Sequence, residues 1–224
     1  MSLRLDSILI AAAILVASCS ADPSTGSVES LPPGEGAPSP TEAVTELVTA
    51  INLPDFSGAS RLAMPGHAAL ASLAEGATFG DVAEAIREGD QEVAANFWAG
   101  FAQGAGSFLS GDVSVDDAGT VSRDEVDFHQ VSVATDDGGT RSVLIQESDG
   151  YRIDLFASFG AGLADKMMGP VERLLNTQSE DARLILANLQ GIVPSLLAAS
   201  ELAGTSADVS QQLLALVEVI TRLG

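Results

Sequence analysis

VDFHQVSVATDDGGTRSVLIQESDGYRIDLF, residues 126 to 156, is the stretch on which the reading of this chain turns. Runs rich in Val, Ile, Phe and Thr alternate here with two turn signals, Asp136-Asp137-Gly138-Gly139 and Ser148-Asp149-Gly150. Asp-Gly and Gly-Gly pairs suit hairpins because tight hairpin turns require positive φ. Together with the residues just upstream, the pattern predicts strands at about 109–116, 124–135, 140–148 and 151–158, joined as an antiparallel meander. Within 124–135 the apolar phase slips. Val126 and Phe128 fall on one face, Val131 and Val133 on the other. A bulge near His129 and Gln130 would produce that slip and bend the sheet.

On both sides of this stretch the apolar period becomes helical. Ser39-Pro40-Thr41-Glu42 has the form of a capping box, and Val44, Leu47, Val48 and Ile51 follow as one stripe. Pro54 stops that helix. A short helix from about Asp55 to Ala63 precedes Met64-Pro65-Gly66. Thr78 opens a third helix with Val82, Ala85 and Ile86 on one face, and a fourth, about 90 to 103, carries Val93, Phe97, Trp98 and Phe101. Downstream, helices are expected near 163–176, 180–203 and 207–223, with Ser179 and Ser206 as caps. Pro194 should kink or split the second of these. The expected class is α+β: N-terminal helices packed on a curved antiparallel meander sheet, followed by a C-terminal helical segment. The expected divisions are a domain at 39–160 and the helical segment at 161–224.

The chain begins MSLRLDSILIAAAILVASC. The apolar run from Ile8 to Ala17 is about half the ~20 residues needed to cross a bilayer, which fits the core of a signal peptide spanning 1–18. Val16-Ala17-Ser18-Cys19 resembles the bacterial lipobox. That resemblance implies a diacylglycerol on the Cys19 thiol and cleavage before it. Cys19 is the single cysteine of the chain, so acylation leaves no disulfide. Residues 19–38, rich in Pro, Gly, Ser and acid, read as a flexible tether. No other segment is long and apolar enough to span a membrane. The expected place is the outer face of the cytoplasmic membrane, with the lipid at Cys19 as the membrane partner.

Acidic residues number 31 against 10 Lys and Arg, for a formal net charge of −21. Nucleic acid is excluded as a partner, because phosphate binding needs clustered cations. Self-repulsion that favours solubility is the simplest account of the acidity.

The order helix, short helix, helix, meander is similar to the nuclear transport factor 2-like superfamily. The likeness is carried by AVTELVTAINLPDFSGASRLAMPGHA (43 to 68) and by YRIDLFASF (151 to 159), and covers roughly 40 to 160. It implies a cone-like α+β domain with a pocket. That superfamily holds isomerases, dehydratases, cyclases and non-catalytic binders, so the likeness implies no one activity. The helical residues after 162 depart from it: they could close the cone, cover the sheet or form a separate bundle.

Candidate chemistry is sparse. His67, in a Pro-Gly turn, is expected to be exposed. His129 lies on a strand, and Asp127 beside it could orient an imidazole base, but the two side chains are expected on opposite faces. Asp154 could serve as a general base if it faced a pocket. The simpler expectation puts Ile153 and Leu155 in the core and leaves Arg152 and Asp154 in solvent. Residues 112 to 127 are acidic enough to suggest Ca²⁺, yet Asp117 and Arg123 stand where an EF-hand loop from Asp112 needs Gly and Glu. An acidic turn is the better reading. GFAQGAGSF (100 to 108) follows a helix and precedes a strand, the wrong order for a phosphate loop. Neither metal nor cofactor is expected. Phe97, Trp98, Phe101, His129 and Tyr151 are the candidates to line an apolar pocket, although core packing explains the first three equally well. The leading expectation is a lipid-anchored, non-catalytic module that binds a small apolar ligand or an envelope partner protein. The alternatives are an envelope isomerase or hydrolase using a pocket carboxylate, and a structural adaptor.

Overall fold

A computed structural model describes residues 35–89, 91–109, 113–123, 126–135, 139–202 and 205–222. Cys19, the signal segment and most of the tether lie outside these residues. The protein is α+β, with a four-stranded antiparallel sheet in the order β1-β2-β3-β4 and helices on either side of it in sequence.

The N-terminal helices begin where side-chain oxygens can satisfy the first free N–H groups. Ser39 Oγ accepts from Glu42 N to open α1 (Pro40–Asn52), Asp55 opens α2 (Phe56–Leu62), and Thr78 opens α4 (Phe79–Glu88). Between α2 and α4 lies a helix absent from the sequence reading, α3 (His67–Ala71), which continues into a 3-10 turn at Ser72–Glu75. The fourth helix of the sequence reading is α5 (Gln91–Leu109) and runs further than expected. The first strand is displaced accordingly: β1 is Val113–Arg123, so the acidic segment read as a turn is strand. Residues 116–120 of β1 are exposed on this edge, so Asp116 and Asp117 stay solvated there.

β2 (Val126–Thr135) and β3 (Thr140–Glu147) pair with Val131 opposite Val143 and Gln130 opposite Leu144. β2 contains no bulge. The register shift falls in β1, between Asp117 and Gly119, across from Val131 and Gln130. The slipping phase has a different cause. Odd positions Val131, Val133, Val143 and Ile145 join the main core with α1, while even positions Phe128 and Leu144 join Ala157 and Ala198 on the opposite face. Plain alternation with cover on both faces sends the two pairs of apolar residues to different sides. Burying Phe128 completely is worth roughly 1.5–3 kcal/mol, which makes a second covered face stable.

β4 is only Tyr151–Ile153, whereas the sequence reading carried a strand to 158. Its outer edge is closed by two short contacts: Ala37 pairs with Tyr151, and Ala63 with Ile153. Gly36 and Ala37, within the stretch expected to be tether, are buried. A Cβ on Gly36 would lie 2.8 Å from the Gly150 carbonyl carbon, and Gly150 sits at φ +112°, so both positions require glycine. The unpaired edge of β4 needs partners, and the incoming chain supplies them.

Four helices follow: α6 (Leu155–Leu175), α7 (Glu180–Gly191), α8 (Val193–Glu201) and α9 (Ala207–Thr221). Ser179 and Ser206 cap α7 and α9 as expected, and Pro194 opens α8, which is bent 42° from α7. α6 runs unbroken across residue 160. It packs on α8 and α9 and also on β3 and the 3-10 turn. Leu213, Leu216 and Ile220 of α9 share one buried cluster with Val44 and Leu47 of α1. Among the described residues no single helix is long and apolar enough to cross a membrane.

Candidate functional site

The junction of β4 and α6 carries the densest polar chemistry. Asp154 leaves the sheet with its N–H on the Leu144 carbonyl, 2.9 Å away, and then caps α6. One carboxylate oxygen, Oδ1, accepts from the N–H groups of Phe156 (3.0 Å) and Ala157 (2.9 Å). The other, Oδ2, accepts from Ser195 Oγ of α8 (2.6 Å) and Gln146 Nε2 of β3 (2.7 Å). Asp154 is fully buried, which corrects the expectation of a solvated side chain. The capping role explains the error: a helix start, not a continuing strand, follows Ile153, so alternation stops there.

His67 lies on the other side of this carboxylate. It is buried, not exposed, because the Pro65-Gly66 turn opens α3 and sends the ring inward against Phe156, with centroids 5.1 Å apart. Its Nδ1 is 3.5 Å from Asp154 Oδ1, near enough to feel the charge but without hydrogen-bond geometry, and it has no partner among the described residues. Burial pulls the imidazole below its ordinary pKa, and the Asp154 charge opposes that only in part. The ring is therefore neutral at neutral pH.

Ser, His and Asp meet here, but in the wrong order for nucleophilic catalysis. The Ser195 hydroxyl donates to the carboxylate and not to an imidazole, so no base is aimed at it. Four donors already occupy the carboxylate, so neither oxygen is turned toward a substrate. The arrangement ties β3, α6 and α8 together and holds α3 against them.

The second region is a cleft of about 290 Å³ between α5 and α6. Phe97, Phe101, Phe159 and Leu163 form its apolar wall, and Gly100 and Gly104 of α5 and Gly162 of α6 also line it. Phe101 and Phe159 meet edge to face at 4.9 Å. Glu75, Arg141 and Lys166 also line it, and Lys166 Nζ lies 2.9 Å from Glu75 Oε1. Another concavity of about 460 Å³ borders Met64, Pro65 and Arg152. The Arg152 guanidinium, buried contrary to expectation, is clamped by the Asp149 carboxylate (2.7 and 3.0 Å) and the Arg61 carbonyl. None of these concavities is lined by His67, Asp154 or Ser195.

The five residues named from sequence separate into two places. Phe97 and Phe101 line the cleft. Trp98 stands buried behind it, 5.0 and 5.4 Å from those rings, with its indole N–H on Ser60 Oγ at 2.8 Å. His129 and Tyr151 stack edge to face at 5.1 Å on the sheet and are not in the cleft lining. Asp127 and His129 are two residues apart on β2 and therefore share a face, contrary to the expectation of opposite faces. Asp127 is engaged instead by the Ser122 hydroxyl across the β1–β2 pair. Gly119 N donates to Asp117 Oδ1 at 2.8 Å, and no group of three or more His, Cys, Asp or Glu among the described residues could hold a metal ion. Ser195, Gln146 and Phe159 were not singled out in sequence. Asp154 could have been recognised as a cap, since Phe156, Phe159, Leu163, Met167 and Leu174 follow it at helical spacing. Compared with family models, curated proteins and solved structures, the chain matches none.

Proposed function

We propose that this protein is a lipid-anchored extracytoplasmic binding module. Cys19 carries the anchor, the Pro- and Gly-rich residues after it hold the domain off the bilayer, and the α5–α6 cleft takes a small apolar ligand without transforming it. The observation that carries the reading is the cleft lining itself, three phenyl rings and Leu163 with glycines contributed by both helices. Ligand sites are concave, mostly apolar and furnished with few polar groups. The likeness to the nuclear transport factor 2-like superfamily is part of the proposal. In it, α1 would be the helix around which the sheet curves, and its contact with each of the four strands supports that.

Trp98, the single tryptophan, reports on the cleft because it touches Phe97 and Phe101. Titration with an apolar fluorophore should shift its emission and quench it by energy transfer. Gly104→Leu and Gly162→Leu should abolish both effects, since a Cβ at either site meets nothing within 4 Å and the larger side chain can extend into the cleft. Unchanged binding in both folded variants would remove the cleft from the proposal. For the anchor, Cys19→Ser should leave the uncleaved chain without lipid, and mass measurement of membrane and soluble fractions checks this.

A second reading, an envelope isomerase or hydrolase using a carboxylate, draws on Asp154 and the unpartnered Nδ1 of His67. It requires a path from solvent to the carboxylate. Reaction of a carboxyl-directed reagent with Asp154 in the folded protein would favour it over the binding module.

A further inference from the structure

The chain contains one lysine, and that lysine lines the apolar cleft. Arg141 of β3 lines it as well, so two of the ten basic residues of a chain with 31 acidic ones converge on one apolar concavity. Core packing gives no reason for this placement. An amphiphile does: an alkyl chain covers phenyl rings, and its charged end needs a cation at their border.

We propose that the cleft binds a single-chain fatty acid, its alkyl chain against Phe97, Phe101 and Phe159 and its carboxylate on Lys166. This rests on the cleft reading above and adds the ligand class. The Glu75 carboxylate, 2.9 Å from Lys166 Nζ, already marks the position and the geometry of such a head group. Binding exchanges one carboxylate for another on the same ammonium. Both partners of this ion pair are partly exposed, with side chains 55% and 31% accessible, and exposed pairs contribute little net stability, so the exchange costs little. The overall charge of −21 does not forbid an anion here, because exposed charges beyond about 8 Å are screened at physiological ionic strength. A cavity of about 290 Å³ is at the small end for ligand sites, which favours one chain over a diacyl lipid.

The test uses the full chain with Cys19→Ser, so that no acyl group of its own competes, and two probes with the same alkyl chain, dodecanoate and dodecanol. Calorimetry and Trp98 emission give the affinities. Both probes should bind, dodecanoate about two- to fivefold tighter, the size expected for an ion pair on a half-exposed ammonium. Lys166→Gln should erase that preference while leaving dodecanol unchanged, which also shows that the variant is folded. Glu75→Gln should strengthen dodecanoate binding severalfold and leave dodecanol where it was. Equal affinities in the parent chain, or a preference that survives Lys166→Gln, would overturn the head-group assignment and leave the apolar cleft standing. Failure of both probes would remove the cleft reading itself. A diacyl phospholipid that displaces dodecanoate at lower concentration would overturn the single-chain assignment.

Discussion

The Asp154 junction and the α5–α6 cleft both draw on the first half of α6, one at its N-cap and the other at residues 158–166, and are built by opposite rules. At the junction nearly every polar atom is spoken for. Asp154 is fully buried, and each of its oxygens accepts two hydrogen bonds, Oδ1 from the first turn of α6 and Oδ2 from Ser195 and Gln146. In the cleft, aromatic rings and glycines share the lining and the Lys166–Glu75 ion pair stands among them. A low-dielectric interior makes each unpaired polar group costly, so a buried carboxylate survives only when fully satisfied, and once satisfied it has little capacity left for chemistry. An apolar cleft imposes no such demand and can stay open. The polar region therefore holds the fold, and the apolar region is where a ligand can go.

The contrast breaks most visibly at Asp154. Asp154→Ala removes a helix cap and leaves Ser195, Gln146 and two backbone N–H groups without their acceptor, at an expected loss of about 3–5 kcal/mol in urea unfolding. A loss below about 1 kcal/mol would mean that the junction does not hold the fold together. Apolar-probe binding at a temperature where the variant is folded should be unaffected.

The next effect is one of pH. Burial holds the folded-state pKa of His67 below the unfolded value of about 6.5. The unfolded chain therefore binds a proton that the folded chain refuses. The contribution of His67 is fully present above the unfolded value. It is lost as pH falls below about 6.5, at up to about 1.4 kcal/mol per pH unit, until the folded pKa is reached. Urea midpoints measured from pH 8 to 5 should fall more steeply for the parent than for His67→Gln. Parallel curves would show that the ring titrates normally and that the interior admits its charge.

On the cleft side the effects are smaller. Ser60→Ala strands the buried indole N–H of Trp98, at roughly 1–2 kcal/mol, and should alter its emission before any ligand is added. Gly104→Ala should stabilise the protein by about 0.5–1 kcal/mol, because alanine is the better helix former and its Cβ meets nothing within 4 Å. A gain in stability coupled to weaker probe binding would show that these glycines keep the cleft open at the expense of the helix. A gain with unchanged binding would separate the two.

Much of the skeleton was legible because local rules set it. Ser39, Thr78, Ser179 and Ser206 cap the helices they were expected to cap, and Pro194 divides α7 from α8. The sheet order followed from consecutive strands and short turns. Errors gathered where an adjacent element changed the meaning of a residue. YRIDLF reads as a strand by composition, yet three residues pair and the fourth caps a helix. The slip at His129 looked like a bulge because one covered face was assumed, and two are covered. Of the cleft, Phe97 and Phe101 were visible as an aromatic stripe. Phe159, Lys166 and Glu75 were not, since nothing local brings α6 and the 3-10 turn to α5.

The sequence by itself determined where most helices start, the order of the strands and the acidic composition, because caps, turns, periodicity and composition act over a few residues. Only the tertiary structure decided that Asp154 and His67 are interior, that both faces of the sheet are covered, and that the lone lysine stands beside three phenylalanine rings. Those outcomes depend on contacts between residues tens of positions apart. Burial and electrostatics are properties of the packed neighbourhood, which a reading along the chain does not contain.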